Sequence, residues 1–359
     1  MFTPQYLKSR LVPYIVNKCC IARRYNILTK NATIKVRRAT LDDYDNVIEI
    51  RDPKELHGGY DPLPDTYKML VESPMTKAYV ATVNEKPVAL HFASLIDDEE
   101  TIGLFGVRVS AKYHDYCLTP KMFDHHRTVN YETAMQFVAC IDGTSSQKFS
   151  SGFFLKSADK IMSKKMVQYF TSRKKIVNKL ILNENYPASA QVITINHLKE
   201  LFSSHILCKY LFPEGRLLKY WMAYRTLPSN IPLIMNKRTT TVASCLHQPN
   251  NALIIIGTYA YTFNGLFYHL DVYGNTDANF KEHLFLHLKE IVCLAADNIC
   301  VEIVIADEIP SKRVDEAFLL FGFERNNNSN HFRVDVWESS TKSLLSLRFF
   351  FSSKSDNKY

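Results

Sequence analysis

The sequence predicts an α+β protein of two similar halves in tandem, each a mixed central sheet flanked by helices. Three observations predict it. Segments with helical and with strand periodicity alternate along the chain, and both halves end in the order strand, helix, strand, helix, strand. Between them, "LNENYPASA" (residues 182–190) gathers Asn, Pro and small residues, as a linker does. A chain of 359 residues suits two domains, and 46% hydrophobic with 12% aromatic residues excludes a mostly disordered one.

In the first half, Thr40 and Asp43 form a capping box that opens a helix through "LDDYDNVIEI". The loop "RDPKELHGGYDPLPD" follows, then a short helix in "TYKMLVES". Three strands, "KAYVATV", "PVALHFASLI" and "TIGLFGVRVSA", are joined by the polar turns "NEK" and "DDEE" into an antiparallel meander. A helix is expected from Leu118 to about Tyr131 and a buried strand in "AMQFVACID". "SADKIMSKKMVQYF" reads as a helix and "KIVNKLIL" as a strand.

In the second half, "RLLKYWMAYR" and "TTTVASCLH" are strand-like. "ALIIIGTYAYTF" and "LFYHLDVY" flank Asn264-Gly265, a strong hairpin signal. A long amphipathic helix, "TDANFKEHLFLHLKEIVCLAADN", precedes the strand "CVEIVIADE", the helix "SKRVDEAFLLFG" and the strand "HFRVDVWE". The expected organisation is a basic extension (1–32), a first domain (33–183), a second (184–338) and a loose Ser/Lys-rich tail (339–359).

The formal charge is +8, yet residues 1–41 hold nine basic residues and no acid, while the remainder carries 35 basic against 36 acidic. A near-neutral body argues against nucleic acid as a partner. The N-terminal stretch has the composition of a mitochondrial presequence, although Pro4 and Pro13 interrupt any continuous helix. A cytoplasmic location is expected, with mitochondria as the alternative. No apolar run approaches eighteen residues, so no transmembrane segment is expected. The eight cysteines (19, 20, 117, 140, 208, 245, 293 and 300) form no CxxC pair, which suits reduced thiols and gives no metal site.

The order of a capped helix pair, a three-strand meander and then α-β-α-β resembles the GNAT N-acetyltransferases. The residues that carry the resemblance are "TIKVRRATLDDYDNVIEI", "GVRVSAKY" and "LLFGFE". "GGYDPLPDTY", "LFPEGRLLKYWMAYRTLPSN" and "LFYHLDVYG" are further similar to segments of the vertebrate histidine N-acetyltransferases, which pair a GNAT domain with a degenerate GNAT-like second half. The match runs patchily from about residue 33 to 338.

The resemblance implies attack of an amine on acetyl-CoA as co-substrate, without a covalent enzyme intermediate, and a small amine or amino acid, histidine-like, as acceptor. It implies that Val107, Arg108 and Val109 on a splayed fourth strand hold the pantetheine arm. The pyrophosphate would lie against His114, Asp115, Tyr116, Cys117, Leu118 and Thr119. Relatives place Arg-Gly-x-Gly at this turn, because converging amides need bare backbone. Here both glycines and the arginine are absent. Where relatives have Glu before Gly-x-Arg-Val, this chain has Phe105. An active enzyme and an impaired pseudo-acetyltransferase serving as a ligand- or protein-binding scaffold both remain open.

Tyr169, taken as part of the first domain's last helix, is a candidate general acid or a core tyrosine. Asp61, beside Tyr60, is a candidate for binding a substrate ammonium or imidazolium, or a turn aspartate. Asp142 is a candidate replacement base, or a strand-end residue. Lys160, Lys164, Lys165, Arg173, Lys174, Lys175 and Lys179 suit a solvated helix face or an anion-attracting one. His283 and His287 have metal-ligand spacing but no third ligand, and suit a structural role. The pair His125-His126 points its rings to different sides of a helix and carries no chemistry.

Overall fold

The computed structural model describes residues 34–116, 118–129, 137–143, 158–182, 189–277, 279–326 and 333–340. The N-terminal extension, Cys117 and the tail beyond residue 340 lie outside them. β1 (Ile34–Arg38), which sequence patterning did not single out, precedes a 3₁₀ turn (Leu41–Asp43) and α1 (Tyr44–Ile48). The expected capping box is present: Asp43 accepts from the Thr40 amide at 2.9 Å and from the Arg37 guanidinium through two bonds of 2.7 Å. α2 (Leu63–Glu72) leads into the antiparallel meander β2 (Thr76–Val83), β3 (Lys86–Ile96) and β4 (Thr101–Val109), as expected. α3 (Leu118–Val129) and β5 (Phe137–Gly143) follow.

The next two elements exchange the expected types. "DKIMSKKMVQYFTS" is a 14-residue strand, β6 (Asp159–Ser172), and "RKKIVNKLIL" is a helix, α4 (Arg173–Leu182). The apolar residues of β6 mimic a helical stripe because the strand is covered on both faces. Met162 and Met166 face one core, and Val167 and Tyr169 the other. In α4 the buried Ile176 and Leu180 stand four apart, the signal of a true helical face.

The second half comprises β7 (Ala190–Val192), α5 (Ile195–Ser203), α6 (His205–Leu211), the hairpin β8 (Arg216–Lys219) and β9 (Met222–Arg225), then α7 (Ile231–Ile234) and β10 (Thr239–Ser244). β11 (Leu253–Thr262), β12 (Gly265–Gly274), α8 (Phe280–Cys293), β13 (Asn298–Ile305), α9 (Ser311–Leu320), β14 (Glu324–Arg325) and β15 (Arg333–Ser340) complete it. The hairpin expected at Asn264-Gly265 is β11–β12, closed by the pair Thr262↔Gly265. "RLLKYWMAYR", read as one strand, folds back on itself at Tyr220-Trp221.

Both halves share one sheet, ordered β1-β2-β3-β4-β5-β15-β6-β13-β12-β11-β10-β7, with β14 paired to β6. β15, last in sequence, is hydrogen-bonded between β5 and β6, whereas β6 of the first half pairs with β13 of the second. The linker therefore divides the chain without dividing the sheet. α1 and α2 cover Val80, Leu90 and Phe92, and α3 covers Ala81, Val83 and Ala89 on the opposite face. In the second half α8 and α9 pack on one face, and α5, α6 and the β8–β9 hairpin on the other.

Candidate functional site

β4 is paired with β3 to its end, but with parallel β5 only from Thr101 to Leu104. Beyond Leu104 the two strands part, and residues 105–109 present backbone amides and carbonyls to the opening. The kink begins at Gly106, where φ is +61° and the β3–β4 register slips. A Cβ there would stand 2.7 Å from the Phe92 ring, so both the dihedral and the close approach demand glycine. Phe105 stacks on Phe92 at 5.4 Å, so apolar packing occupies the position where relatives carry a glutamate.

Val107, Arg108 and Val109 lie on this parted stretch. Arg108 stands opposite Leu90, on the α1–α2 face, and its Nη2 makes an ion pair with Asp61 Oδ1. Both side chains are buried, 10% and 2% exposed. Asp61 Oδ1 also accepts from the Leu63 amide at 3.2 Å, anchoring the start of α2. Two residues expected on different ligands, one on the cofactor and one on the acceptor, thus hold each other. Neighbouring Tyr60 packs against Phe170 of β6 at 5.6 Å.

The second half fixes this loop in place. Asn264 at the β11–β12 turn donates its amide to Gly59 O (3.2 Å) and its side chain to Gly58 O (2.7 Å). Gly59, at φ +86°, is so close to Asn264 that any Cβ would overlap its side chain. Asp65 of α2 is held by the Arg238 guanidinium and by the Tyr261 amide at 2.9 Å.

Below the loop, one row of the sheet carries buried polar groups. His269, Glu302 and Gln168 are register neighbours on β12, β13 and β6. His269 donates to Glu302 at 2.9 Å and to Asp271 at 3.1 Å, and Gln168 donates to the other Glu302 oxygen at 3.0 Å. Burial alone would lower the imidazole pKa, but Asp271 and Glu302 outweigh it and push it up to about 10. The tip of the β8–β9 hairpin covers this row. Tyr220 and Trp221 lie 5.9 and 6.2 Å from His269, and the Tyr220 amide bonds Asp271 at 3.1 Å. Sequence reasoning missed this layer. Its only signal was polar residues inside apolar strands, "YHLDVY" and "CVEIVI".

A family model described as "Histidine N-acetyltransferase, C-terminal" matches residues 187–306, the portion that supplies all of this layer but Gln168. A protein named histidine N-acetyltransferase from Oreochromis niloticus is 20% identical over 267 residues, 70% of this chain and 77% of that one. Among solved structures, a putative acetyltransferase from Pyrococcus horikoshii aligns with a TM-score of 0.51 at 12% identity, covering 87% of this chain and 90% of that one. The Saccharomyces cerevisiae N-myristoyltransferase with bound myristoyl-CoA aligns at 0.50 and 9% identity, covering 86% and 79%. The chain is a divergent, histidine N-acetyltransferase-like protein of the GNAT fold.

In this GNAT-fold chain the turn after β4 is a 3₁₀ turn over Ala111–Tyr116, in which i+3 hydrogen bonds use amides that a glycine nest leaves free. His114 is exposed, with Nε2 3.1 Å from Val109 O, and Tyr113 and Tyr116 pack edge to face at 5.2 Å. Leu118 and Thr119 open α3 directly behind it. The side chains of Asp115 and Asp142 lie outside the described set; the backbone of Asp142 stands on β5 opposite Asp335.

Tyr169 is on β6 rather than on a helix, and it faces away from the parted strands. It is 1% exposed, stacked on Phe318 at 4.0 Å, and donates to Asp315 at 2.6 Å. Nothing brings it towards Asp61, Arg108 or the turn. Lys164, expected on a solvated helix face, is buried; its ammonium lies 3.3 Å from Val272 O and 3.7 Å over the Tyr273 ring. His283 and His287 each serve a buried hydrogen bond, with Ser244 at 2.9 Å and Tyr268 at 3.0 Å, and burial lowers their pKa values to about 3 and about 4. No cluster of three metal-ligating side chains is found among the described residues. No helix among them is long and apolar enough to cross a membrane.

Proposed function

We propose that this chain is an N-acetyltransferase that moves the acetyl group of acetyl-CoA to the amine of a small molecule, a free amino acid of the histidine kind. The observation that carries this reading is the parting of β4 from β5 directly beside the buried Asp61–Arg108 pair. Backbone groups of residues 105–109 would hold the pantetheine arm in extended register. Residues 111–116 and the start of α3 at Leu118 and Thr119 would face the pyrophosphate. Placing thioester and amine side by side supplies most of the acceleration, on the order of 7–11 kcal/mol for a well-oriented pair.

The acceptor arrives as an ammonium and loses one proton before attack. Asp61 Oδ2, a buried oxygen with no hydrogen-bond partner among the described residues, would receive it. As the C–N bond forms and the C–S bond breaks, the second proton passes from nitrogen to the departing thiolate, and CoA leaves as the thiol. The glycine-free turn argues for a loose grip on the pyrophosphate, since its amides are engaged internally.

Calorimetric titration of the purified protein with acetyl-CoA tests the proposal. The expected result is saturable binding in the micromolar-to-millimolar range, followed by thiol release when an amino-acid acceptor is added. No heat at millimolar acetyl-CoA would overturn it in favour of a non-catalytic scaffold.

A further inference from the structure

From Lys160 to Lys179 the chain holds seven cations with no acid between them, and the structure divides this run in two. On β6 the three lysines are engaged. Lys160 lies over the Trp337 ring at 5.9 Å, Lys164 bonds Val272 O at 3.3 Å, and Lys165 bonds Asp307 O. The other four cations belong to α4 and are exposed. Ile176 and Leu180 bury one side of this helix. The opposite side carries Lys174, Lys175 and Lys179 and ends in Ile181 and Leu182, which are 61% and 76% exposed. Lys174 and Ile181 stand two turns apart on one line of the helix, as do Lys175 and Leu182, so cations and aliphatic side chains share a face. The end of α9 widens that face. A Cβ on Gly322 would stand 3.4 Å from Lys175 Cβ and 3.7 Å from Lys179 Cγ. Just before this glycine, Leu319 is 59% exposed and Leu320 36%.

Aliphatic side chains held in water and rimmed by lysines mark an interaction surface, and their chemistry specifies the partner. Protein interfaces concentrate aromatic residues and arginine and deplete lysine, the reverse of this face. Single strands of nucleic acid are gripped by stacking bases on aromatic rings, and α4 has no aromatic residue. Ile181 and Leu182 project from the end of a helix, a convex shape that fluid acyl chains accommodate without a matching groove. An anionic bilayer surface complements both components. Aliphatic tips enter the boundary between headgroups and acyl chains, while the ammonium groups stay among the anionic headgroups. We propose that this face of α4 and α9 docks the protein on the surface of membranes that contain anionic lipid. Glu324, 2.7 Å from Lys175, offsets one of the four cations of α4, and the helix itself contains no acid. The net charge of the face therefore favours an anionic surface over a neutral one. Such attachment is independent of whether the chain transfers acetyl groups.

The test is co-sedimentation of the full-length protein with vesicles of phosphatidylcholine alone and of phosphatidylcholine mixed with phosphatidylserine. Binding is expected to the mixed vesicles, with release at about 1 M salt, where the screening length falls to about 3 Å. Lys174→Ala is expected to weaken it about fivefold. Ile181→Ser combined with Leu182→Ser is expected to weaken it about tenfold or more, with an unchanged melting temperature because both side chains are exposed. Lys68→Ala, equally exposed on α2, is expected to leave binding as it is. The nine basic residues within 1–41 also attract anionic vesicles, so the variants decide. Mixed-vesicle binding that neither α4 variant weakens belongs to the N-terminal extension and would overturn the docking face. So would equal binding to both kinds of vesicle, or none to either. The same loss in Lys68→Ala would reduce the effect to overall charge and overturn it as well. A dimer in solution that Ile181→Ser with Leu182→Ser dissolves, in a protein that no vesicle binds, would make the face a contact between two copies of the chain instead.

Discussion

At the scale of single residues, His269 shows how a buried charge is kept. The imidazolium is enclosed at 2% exposure between Asp271 and Glu302, so its proton is bound more tightly folded than unfolded. A raised pKa contributes stability that is complete below the ordinary histidine value near 6.5 and lost as pH climbs through about 10. His269→Gln is therefore expected to lower stability by about 3 kcal/mol at pH 6, with the deficit shrinking steadily towards pH 10 in urea titrations. A deficit that stays constant with pH would place the loss in packing rather than in charge. Asp61 was legible at this scale as a polar residue in a Gly-Pro loop. Its pairing with Arg108, a residue expected only on the cofactor, was not, because 47 residues separate them and only the fold of β4 onto α2 joins them.

At the scale of elements, β6 is the instructive error. Its apolar residues obey both a helical and a strand period, and sequence alone had no means of knowing that both faces would be covered. Tertiary pairing with β15 and β13 chose the strand and carried Lys164 into the core. Burial lowers the pKa of that ammonium from 10.5 to about 8. The cost of its charge is thus full below pH 8 and gone by about pH 10.5. Lys164→Met is expected to stabilise the protein by about 1–3 kcal/mol at pH 7, with the gain fading above pH 8 in thermal melts. A melting temperature unchanged or lowered at pH 7 would show that the contact with Val272 O outweighs desolvation. The β8–β9 turn escaped notice for the opposite reason: its bend contains no Gly, Asn or Pro, and is imposed from outside.

At the scale of the whole molecule, the two halves are joined by a continuous sheet and by one buried polar cluster. Asp97, in the "DDEE" turn of the first half, is fully buried and accepts from Arg216, Asn230 and the Arg225 amide of the second. Breaking a buried pair on one side strands the other charge, at a cost of about 3–5 kcal/mol. Asp97→Ala is expected to lower the urea midpoint accordingly. An unchanged midpoint would show that the base of the hairpin is held by its own packing instead. A single cooperative transition is also expected, because β15 and β6 each complete the other half's sheet.

The sequence by itself determined the tandem α+β plan, the capping box at Thr40 and Asp43, the meander, the Asn264-Gly265 hairpin and the loss of the glycine turn. Each depends on contacts within a few residues, where periodicity and turn chemistry act directly. Only the tertiary structure decided that β6 is a strand, that β15 returns to the centre of the sheet, and that Asp61 and Arg108 form one buried pair. Those outcomes depend on pairings across 47 to more than 100 residues, and such distances leave no period in a sequence to read.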